Sequence, residues 1–333
     1  MLRGKEVITE KEEYTELLPK VRDLVNTVVK KDMAEGLLFS AGTDTTIIAY
    51  EAVKYNPKIP CLTMAFKHGN PKDTEYVKKM ATFLKLNHET YIFDRDEILS
   101  NAPRVVEILK KFDPMEIRNS LPVYIGLAHM KKKGIQSVFT GDALDELFGY
   151  PWQFHLSETE FQQRQEEMWA VMEFSSIPLA TSLGISIKTP FLDPLFTEWA
   201  KKLPVKFKIN IHEGEKYSKW IIRKAYEDLI PKEVVWRSKA PLEQGTGTDI
   251  LRTFFDSELT DDEFAEKKRK ILEKDHVNIR DKEQMVYYEF FRELLGKPSD
   301  VYPPTNGGTQ CPYCKSYNKT QIHFCKICGA YPI

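Results

Sequence analysis

A doubly wound α/β sheet is the fold class that the sequence predicts, and three observations predict it. Short apolar runs at 36–39, 61–66, 89–93 and 137–140 alternate with amphipathic stretches at 45–55, 72–86, 96–111 and 117–133. Such alternation builds a parallel sheet with helices on both faces and right-handed crossovers. From about residue 155 the strand signal fades and helical patterning takes over. Four of the five cysteines fall in the last 23 residues, which sets a small appended unit apart from the α/β and helical parts.

Taken in order, a helix is expected over 10–34, then the first strand, Gly36–Phe39, which runs into the polar turn SAGTDTT. The next strands are Cys61–Phe66, Glu89–Phe93 and Ser137–Thr140, the last leading into GDALDELFGY. Helices are expected over 157–173, 194–203, 215–229 and 262–295. The segment GKPSDVYPPTNGGTQ, 296–310, is rich in Pro and Gly and reads as a linker. The expected division is an α/β core over 1–155, a mostly helical part over 156–295, the linker, and a small unit over 311–333. No repeat or low-complexity tract interrupts this order.

The 333 residues carry a formal net charge of -1, which gives no global sign of nucleic-acid binding. Charged residues make up 29% and mean hydropathy is -0.42. No apolar run approaches the ~20 residues of a membrane span. The start, MLRGKEVITEKEEY, lacks the apolar stretch of a secretory signal, so a cytoplasmic chain without a membrane partner is expected. In such a compartment the pairs Cys311/Cys314 and Cys325/Cys328 read as a tetrahedral Zn2+ site rather than as disulfides. Gly329 follows the second pair where a positive φ is often needed. Cys61 reads as a buried small hydrophobe.

Two turns carry the chemistry. In an open α/β sheet, ligands bind beyond the carboxyl ends of the strands, where helix N-termini offer free N–H groups to an anion. SAGTDTT supplies the hydroxyls of Ser40, Thr45 and Thr46 and a close backbone approach at Gly42, which suits a phosphate. It lacks the Gly-Lys-Ser/Thr ending of a Walker A loop. Asp44 stands where an acid could hold Mg2+ between phosphates; the plainer alternative is that Asp44 or Thr45 caps a helix. In the second turn Asp142, Asp145 and Glu146 fall within five residues. Crowded carboxylates there call for a cation or a helix dipole, and a capped acidic helix start is again the plainer alternative.

With both turns in view, the chain resembles the synthetase domain of the asparagine synthetase and β-lactam synthetase family, a branch of the ATP pyrophosphatases with an adenine nucleotide α-hydrolase-like fold. The family's Ser-Gly-Gly-x-Asp-Ser is similar to Ser40–Thr45, and its Gly-Glu-Gly-x-Asp-Glu-x-Phe-Gly-Gly-Tyr to Gly141–Tyr150. IRNSLPVY (117–124) and KTPFLD (188–193) each resemble a further family segment, and 219–247 resembles two, the family's Lys-x-x-Leu-Arg and Arg-x-Lys-x-x-x-x-x-Gly, all in the family's order. The resemblance implies ATP and Mg2+, transfer of AMP to a carboxylate, and displacement of AMP by an amine. It implies Mg2+ at Asp44 and Asp145, and a pyrophosphate cradle at Ser40, Gly42, Thr45 and Thr46. Adenine would lie near Leu38, Met64, Phe66, Thr140 and Gly141. Lys239 matches a lysine that stabilises charge in both steps, or is an ordinary surface lysine. Asp142 takes the place of a glutamate that deprotonates or orients the amine. Trp152, next to the acidic motif, is a candidate wall of the acceptor pocket.

The departures qualify the resemblance. Ala41 and Thr45 replace Gly and Ser, and Asp142 is one methylene shorter than Glu, moving the carboxylate by ~1.5 Å. Glutamine-dependent members carry an N-terminal glutaminase domain with a Cys directly after Met; here Leu2 follows Met1 and the phosphate turn begins at Ser40. The expectation is a ligase using free ammonia, an amine, or ammonia from another polypeptide, with asparagine the leading product and an oligomer allowed. The alternative is an RNA-modifying ATP pyrophosphatase whose cysteine unit binds tRNA, since Tyr313, Lys315, Tyr317, Lys319 and Lys326 form an aromatic–basic mix. Such a unit also serves as a small staple or a protein-docking module, and is expected to take no part in adenylation.

Overall fold

The computed structural model describes residues 10–318 and 323–333. Helix α1 (Glu10–Lys31) precedes β1 (Gly36–Leu38), α2 (Thr43–Ala52), β2 (Pro60–Phe66), α3 (Thr74–Leu84), β3 (Asn87–Phe93), α4 (Arg95–Leu109), α5 (Pro114–Lys132) and β4 (Ser137–Phe139). Next come α6 (Leu144–Phe148), α7 (Glu158–Val171), α8 (Ser176–Ser182), β5 (Ser186–Lys188), α9 (Pro194–Lys202) and α10 (Val205–Lys208). The hairpin β6 (Ile209–His212) and β7 (Glu215–Ser218) leads into α11 (Trp220–Tyr226), α12 (Lys232–Val235), α13 (Leu242–Thr246) and α14 (Leu251–Glu258). The described chain closes with α15 (Asp261–Asp275), α16 (Lys282–Leu295), α17 (Pro298–Val301), β8 (Thr309–Gln310) and β9 (Tyr317–Asn318).

Five parallel strands form one sheet in the order β3-β2-β1-β4-β5. Alternation along each strand feeds two cores. Leu37, Cys61 and Phe139 face one, built with α1, α2 and α11; Leu62, Met64 and Val138 face the other, built with α4, α5 and α16. The doubly wound α/β fold follows, and the order of strands reverses between β1 and β4. Connections leaving these two neighbours turn opposite ways, which opens a crevice at their carboxyl ends.

Three stretches differ from their expected form. Residues 215–229 are not one helix: Glu213 and Gly214 both have positive φ, 50° and 88°, and form the two-residue turn joining β6 to β7. Residues 262–295 are two helices, because His276 leaves α15 in a left-handed conformation and Asp281 starts α16 by accepting from Gln284 N at 2.8 Å. Strand β5 lacks an apolar run and is recognisable as a strand by its pairing with β4.

The segment 296–310 contains α17 and β8, and the cysteine unit sits against the main body. Cys311, Cys314, Cys325, Cys328, Ile327 and Ala330 share a core with Phe112, Tyr288 and Phe291. Phe112 N donates to Ile327 O at 2.8 Å, Asn278 N to Tyr313 O at 2.8 Å and Gln284 Nε2 to Cys328 O at 2.8 Å. Gly329 has φ 71°, as expected after the second pair, and a Cβ there would meet the Asp113 carboxylate. Lys319 lies outside the described residues. No helix is long and apolar enough to cross a membrane, among the described residues.

Candidate active site

A cavity of about 320 Å³ occupies the crevice at the carboxyl ends of β1, β2 and β4. Leu38, Leu62, Met64, Pro122 and Val123 give one side an apolar wall. The opposite side is polar. It takes Ser40, Gly42, Asp44 and Thr45 from the first turn, and Thr140, Gly141, Asp142, Asp145 and Glu146 from the second.

The first turn is held by its own hydroxyls. Gly42 N donates to Ser40 Oγ at 3.2 Å, Ser40 N donates to Thr45 Oγ1 at 3.2 Å, and the two hydroxyls lie 3.1 Å apart. Gly42 is the N-cap of α2, with no side-chain cap, so neither Asp44 nor Thr45 is spent in capping. Ala41 has φ 52°, a conformation that a glycine there would adopt more freely. The two turns touch: a Cβ on Gly141 would lie 3.0 Å from Asp44 Cβ and 3.1 Å from Thr45 Cγ2.

Two lysines hold the acids. Lys219 Nζ donates to both oxygens of Asp44, at 2.6 and 2.8 Å, and pairs with Asp145 Oδ1 at 2.8 Å. Lys239 Nζ pairs with Asp145 Oδ2. Burial raises the Asp44 carboxyl above its ordinary range; Lys219 opposes that and Asp145 reinforces it. Burial also pushes Asp145 upward, but Lys219 and Lys239 outweigh it and bring the carboxyl down to about 2. Lys219 adopts φ 58°, ψ 29° directly before α11 and is 3% exposed. Behind the first turn, Arg237 donates to Asp73 Oδ1 at 2.7 Å and to Ala41 O at 3.2 Å. Asp142 lines the same cavity but takes no part in these ion pairs. Its Oδ2 accepts from Thr140 Oγ1 at 2.7 Å and Ser176 Oγ at 2.5 Å, and burial raises its pKa against these two bonds.

Most of the residues singled out in the sequence meet here: Leu38, Ser40, Gly42, Asp44, Thr45, Met64, Thr140, Gly141, Asp142, Asp145 and Lys239 all line the cavity. Phe66 and Thr46 do not. Phe66 is 3% exposed and packs 5.5 Å from the Phe93 ring, and Thr46 is buried beneath the turn. Trp152 is 57% exposed and also lies off the cavity. Lys219, Asp73, Arg237 and Ser176 escaped the sequence reading as site residues. Lys219 and Arg237 lay inside a segment already matched, but what they pair with is settled only by tertiary contact.

The family model described as asparagine synthase matches residues 16–183 and 178–310. The chain belongs to the asparagine synthase family. Its relatives in that family include the glutamine-hydrolyzing asparagine synthetase of Gallus gallus, 29% identical, the match covering 71% of this chain and 46% of the relative. Asparagine synthetase B of Escherichia coli (strain K12), also glutamine-hydrolyzing, is 25% identical over 89% of this chain and 56% of the relative. The chain thus spans about half the length of the curated relatives it matches. Among solved structures, NMN synthetase from Francisella tularensis has a TM-score of 0.38 and 13% identity, with 88% of this chain and 98% of that chain covered.

The cysteine unit forms a second candidate site. Four buried Sγ atoms lie within 4.8 Å of one another. Backbone turns present them in pairs, with Lys315 N donating to Cys311 O at 3.0 Å and Gly329 N to Cys325 O at 2.8 Å. Four buried thiols are the donor set of a structural zinc site.

Proposed function

We propose that the chain is an ATP-dependent, AMP-forming ligase that activates a carboxylate and joins it to ammonia or an amine. The observation that carries this reading is the meeting of Asp44 and Asp145, from two separate strand-end turns, around one ammonium in a cavity with an apolar side. The apolar wall of Leu38, Leu62 and Met64 suits adenine, and the first turn suits the phosphates.

Asp44 and Asp145 fit Mg2+, because their oxygens already converge on a cation, Lys219 Nζ. Bound there, the ion would neutralise phosphate charge. Lys239, and Lys219 once the ion displaces its ammonium from between the two acids, would supply further positive charge as pyrophosphate leaves. Asp142, outside the ion-paired cluster, takes the proton that the attacking nitrogen loses. The amine displaces AMP, and the amide leaves with the acyl group. Nothing in this scheme generates ammonia, so the donor is free ammonia, an amine, or ammonia supplied by glutamine hydrolysis elsewhere. Zn2+ at Cys311, Cys314, Cys325 and Cys328 has a structural part.

The test supplies ATP, Mg2+ and a panel of carboxylates led by aspartate, with ammonia or glutamine, and follows AMP, pyrophosphate and amide. Asp44→Asn and Asp145→Asn are expected to lower pyrophosphate release by about a hundredfold or more. Release of ADP in place of AMP would refute the adenylation chemistry.

A further inference from the structure

The family pattern has a glutamate where this chain has Asp142, and the shorter side chain is held by a residue that no motif contains. Ser176 opens α8, 34 positions beyond Asp142, and is 5% exposed. Its hydroxyl donates to Asp142 Oδ2 at 2.5 Å, and Thr140 Oγ1 donates to the same oxygen at 2.7 Å. Oδ1 has no hydrogen bond among the described residues. Two donors on one oxygen fix the carboxylate plane and occupy that oxygen's lone pairs, leaving Oδ1 free to accept. The support behind Ser176 is firm: Leu179 and Ala180 of α8 are fully buried in the core shared with α4 and α5. Phe174, two residues earlier, lines the same cavity.

We infer that Ser176 is a positioning residue for amide formation, locking Asp142 so that Oδ1 faces the incoming nitrogen. The inference rests on the ligase reading and concerns its second step alone. In that step the nitrogen lone pair attacks the acyl carbon, the bond from that carbon to the AMP oxygen breaks, and the nitrogen's proton passes to Asp142 Oδ1. Formation of the acyl-adenylate does not use Asp142, so Ser176 should divide the two half-reactions.

The experiment uses the full chain with ATP, Mg2+ and whichever carboxylate of the panel promotes pyrophosphate release. ATP–pyrophosphate exchange reports the first step, and amide formation with ammonia the second. Ser176→Ala is expected to keep exchange within about threefold and lower amide formation about tenfold to a hundredfold. Ser176→Thr, which keeps the hydroxyl, should restore amide formation to within a few-fold. Ser176→Cys, of similar size but a weak donor, should fall between them and guards against a folding defect in the alanine variant. Parallel loss of both steps in Ser176→Ala and Ser176→Cys, or unchanged amide formation, would overturn the inference while leaving the ligase reading intact. If the unaltered chain releases no pyrophosphate with any carboxylate, the ligase reading falls and this inference falls with it.

Discussion

Lys219 is the residue on which the charge balance of the cavity turns. It is nearly inaccessible to water, and its ammonium lies between two carboxylates that would otherwise repel each other. Removing one partner of a buried cluster leaves the others uncompensated, which costs about 3–5 kcal/mol. Lys219→Met is therefore expected to destabilise the fold by about that amount. Millimolar Mg2+ should return more of the loss in this variant than it adds to the unaltered chain, because the vacated position lies between Asp44 and Asp145. Urea unfolding with and without Mg2+ measures both effects; equal responses to Mg2+ would remove this position as the ion's site. Asp44, Asp145 and Lys239 could be read from the sequence because strand-end turns and a family pattern mark them. Lys219 opens a stretch that resembles a family segment, but its part in the charge balance could not be read, since that part lies in two partners 175 and 74 positions away. Asp73 looks like any surface acid until Arg237 reaches it.

At the scale of elements, the site depends on turns and helices that meet end to end. Gly141 lets the second turn pass against the first, so Gly141→Ala would press on Asp44 and Thr45. A rise of about tenfold in KM for ATP with little change in melting temperature is expected, read from initial rates. Farther back, Arg118 of α5 joins Glu243 of α13, at 3.6 Å, and Glu283 of α16, at 3.3 Å. Burial raises Glu283 from an ordinary 4.5 to about 7, against the pull of Arg118. The folded state then binds the proton more tightly than the unfolded chain. Its contribution is full below pH 4.5 and is lost as pH rises through 7, a decline on the order of 2–3 kcal/mol. Glu283→Gln should flatten that part of the stability profile, measured by urea midpoints from pH 5 to pH 8; an unchanged slope would assign the decline elsewhere. Long amphipathic elements were legible in the sequence, with ends displaced by a few residues. Among the short strands, β1 and β4 were legible because each lies in an apolar run that leads into a polar turn, whereas β5, β6 and β7 lack such a run and are defined by pairing, which no local pattern reports.

For the whole molecule, the docking of the cysteine unit matters most. A Pro/Gly-rich stretch before two Cys pairs reads as a tethered appendage, and that reading misses Phe112, Tyr288 and Phe291, which the unit covers. Burial against a partner is a property of both surfaces, and only one was visible in the tail. Removal of zinc, by chelation or by Cys314→Ser with Cys325→Ser, should lower stability by about 3 kcal/mol or more and move a single calorimetric transition. Truncation after residue 300 should do the same. Two separate transitions, with the larger one unmoved, would restore the appendage picture.

The docked tail also bears on the order in which the chain is made. Every residue lining the cavity lies at or before Thr246, whereas Cys325, Ile327, Cys328 and Ala330 complete the hydrophobic cluster beside α4 and α5. A ribosome that has released Thr246 has supplied every residue of the crevice but not the cover for the helices that support it. Until the tail emerges and gathers its thiols, the nascent chain presents apolar surface to chaperones and proteases. Metal supply at the moment of synthesis would then govern how many chains reach the finished fold.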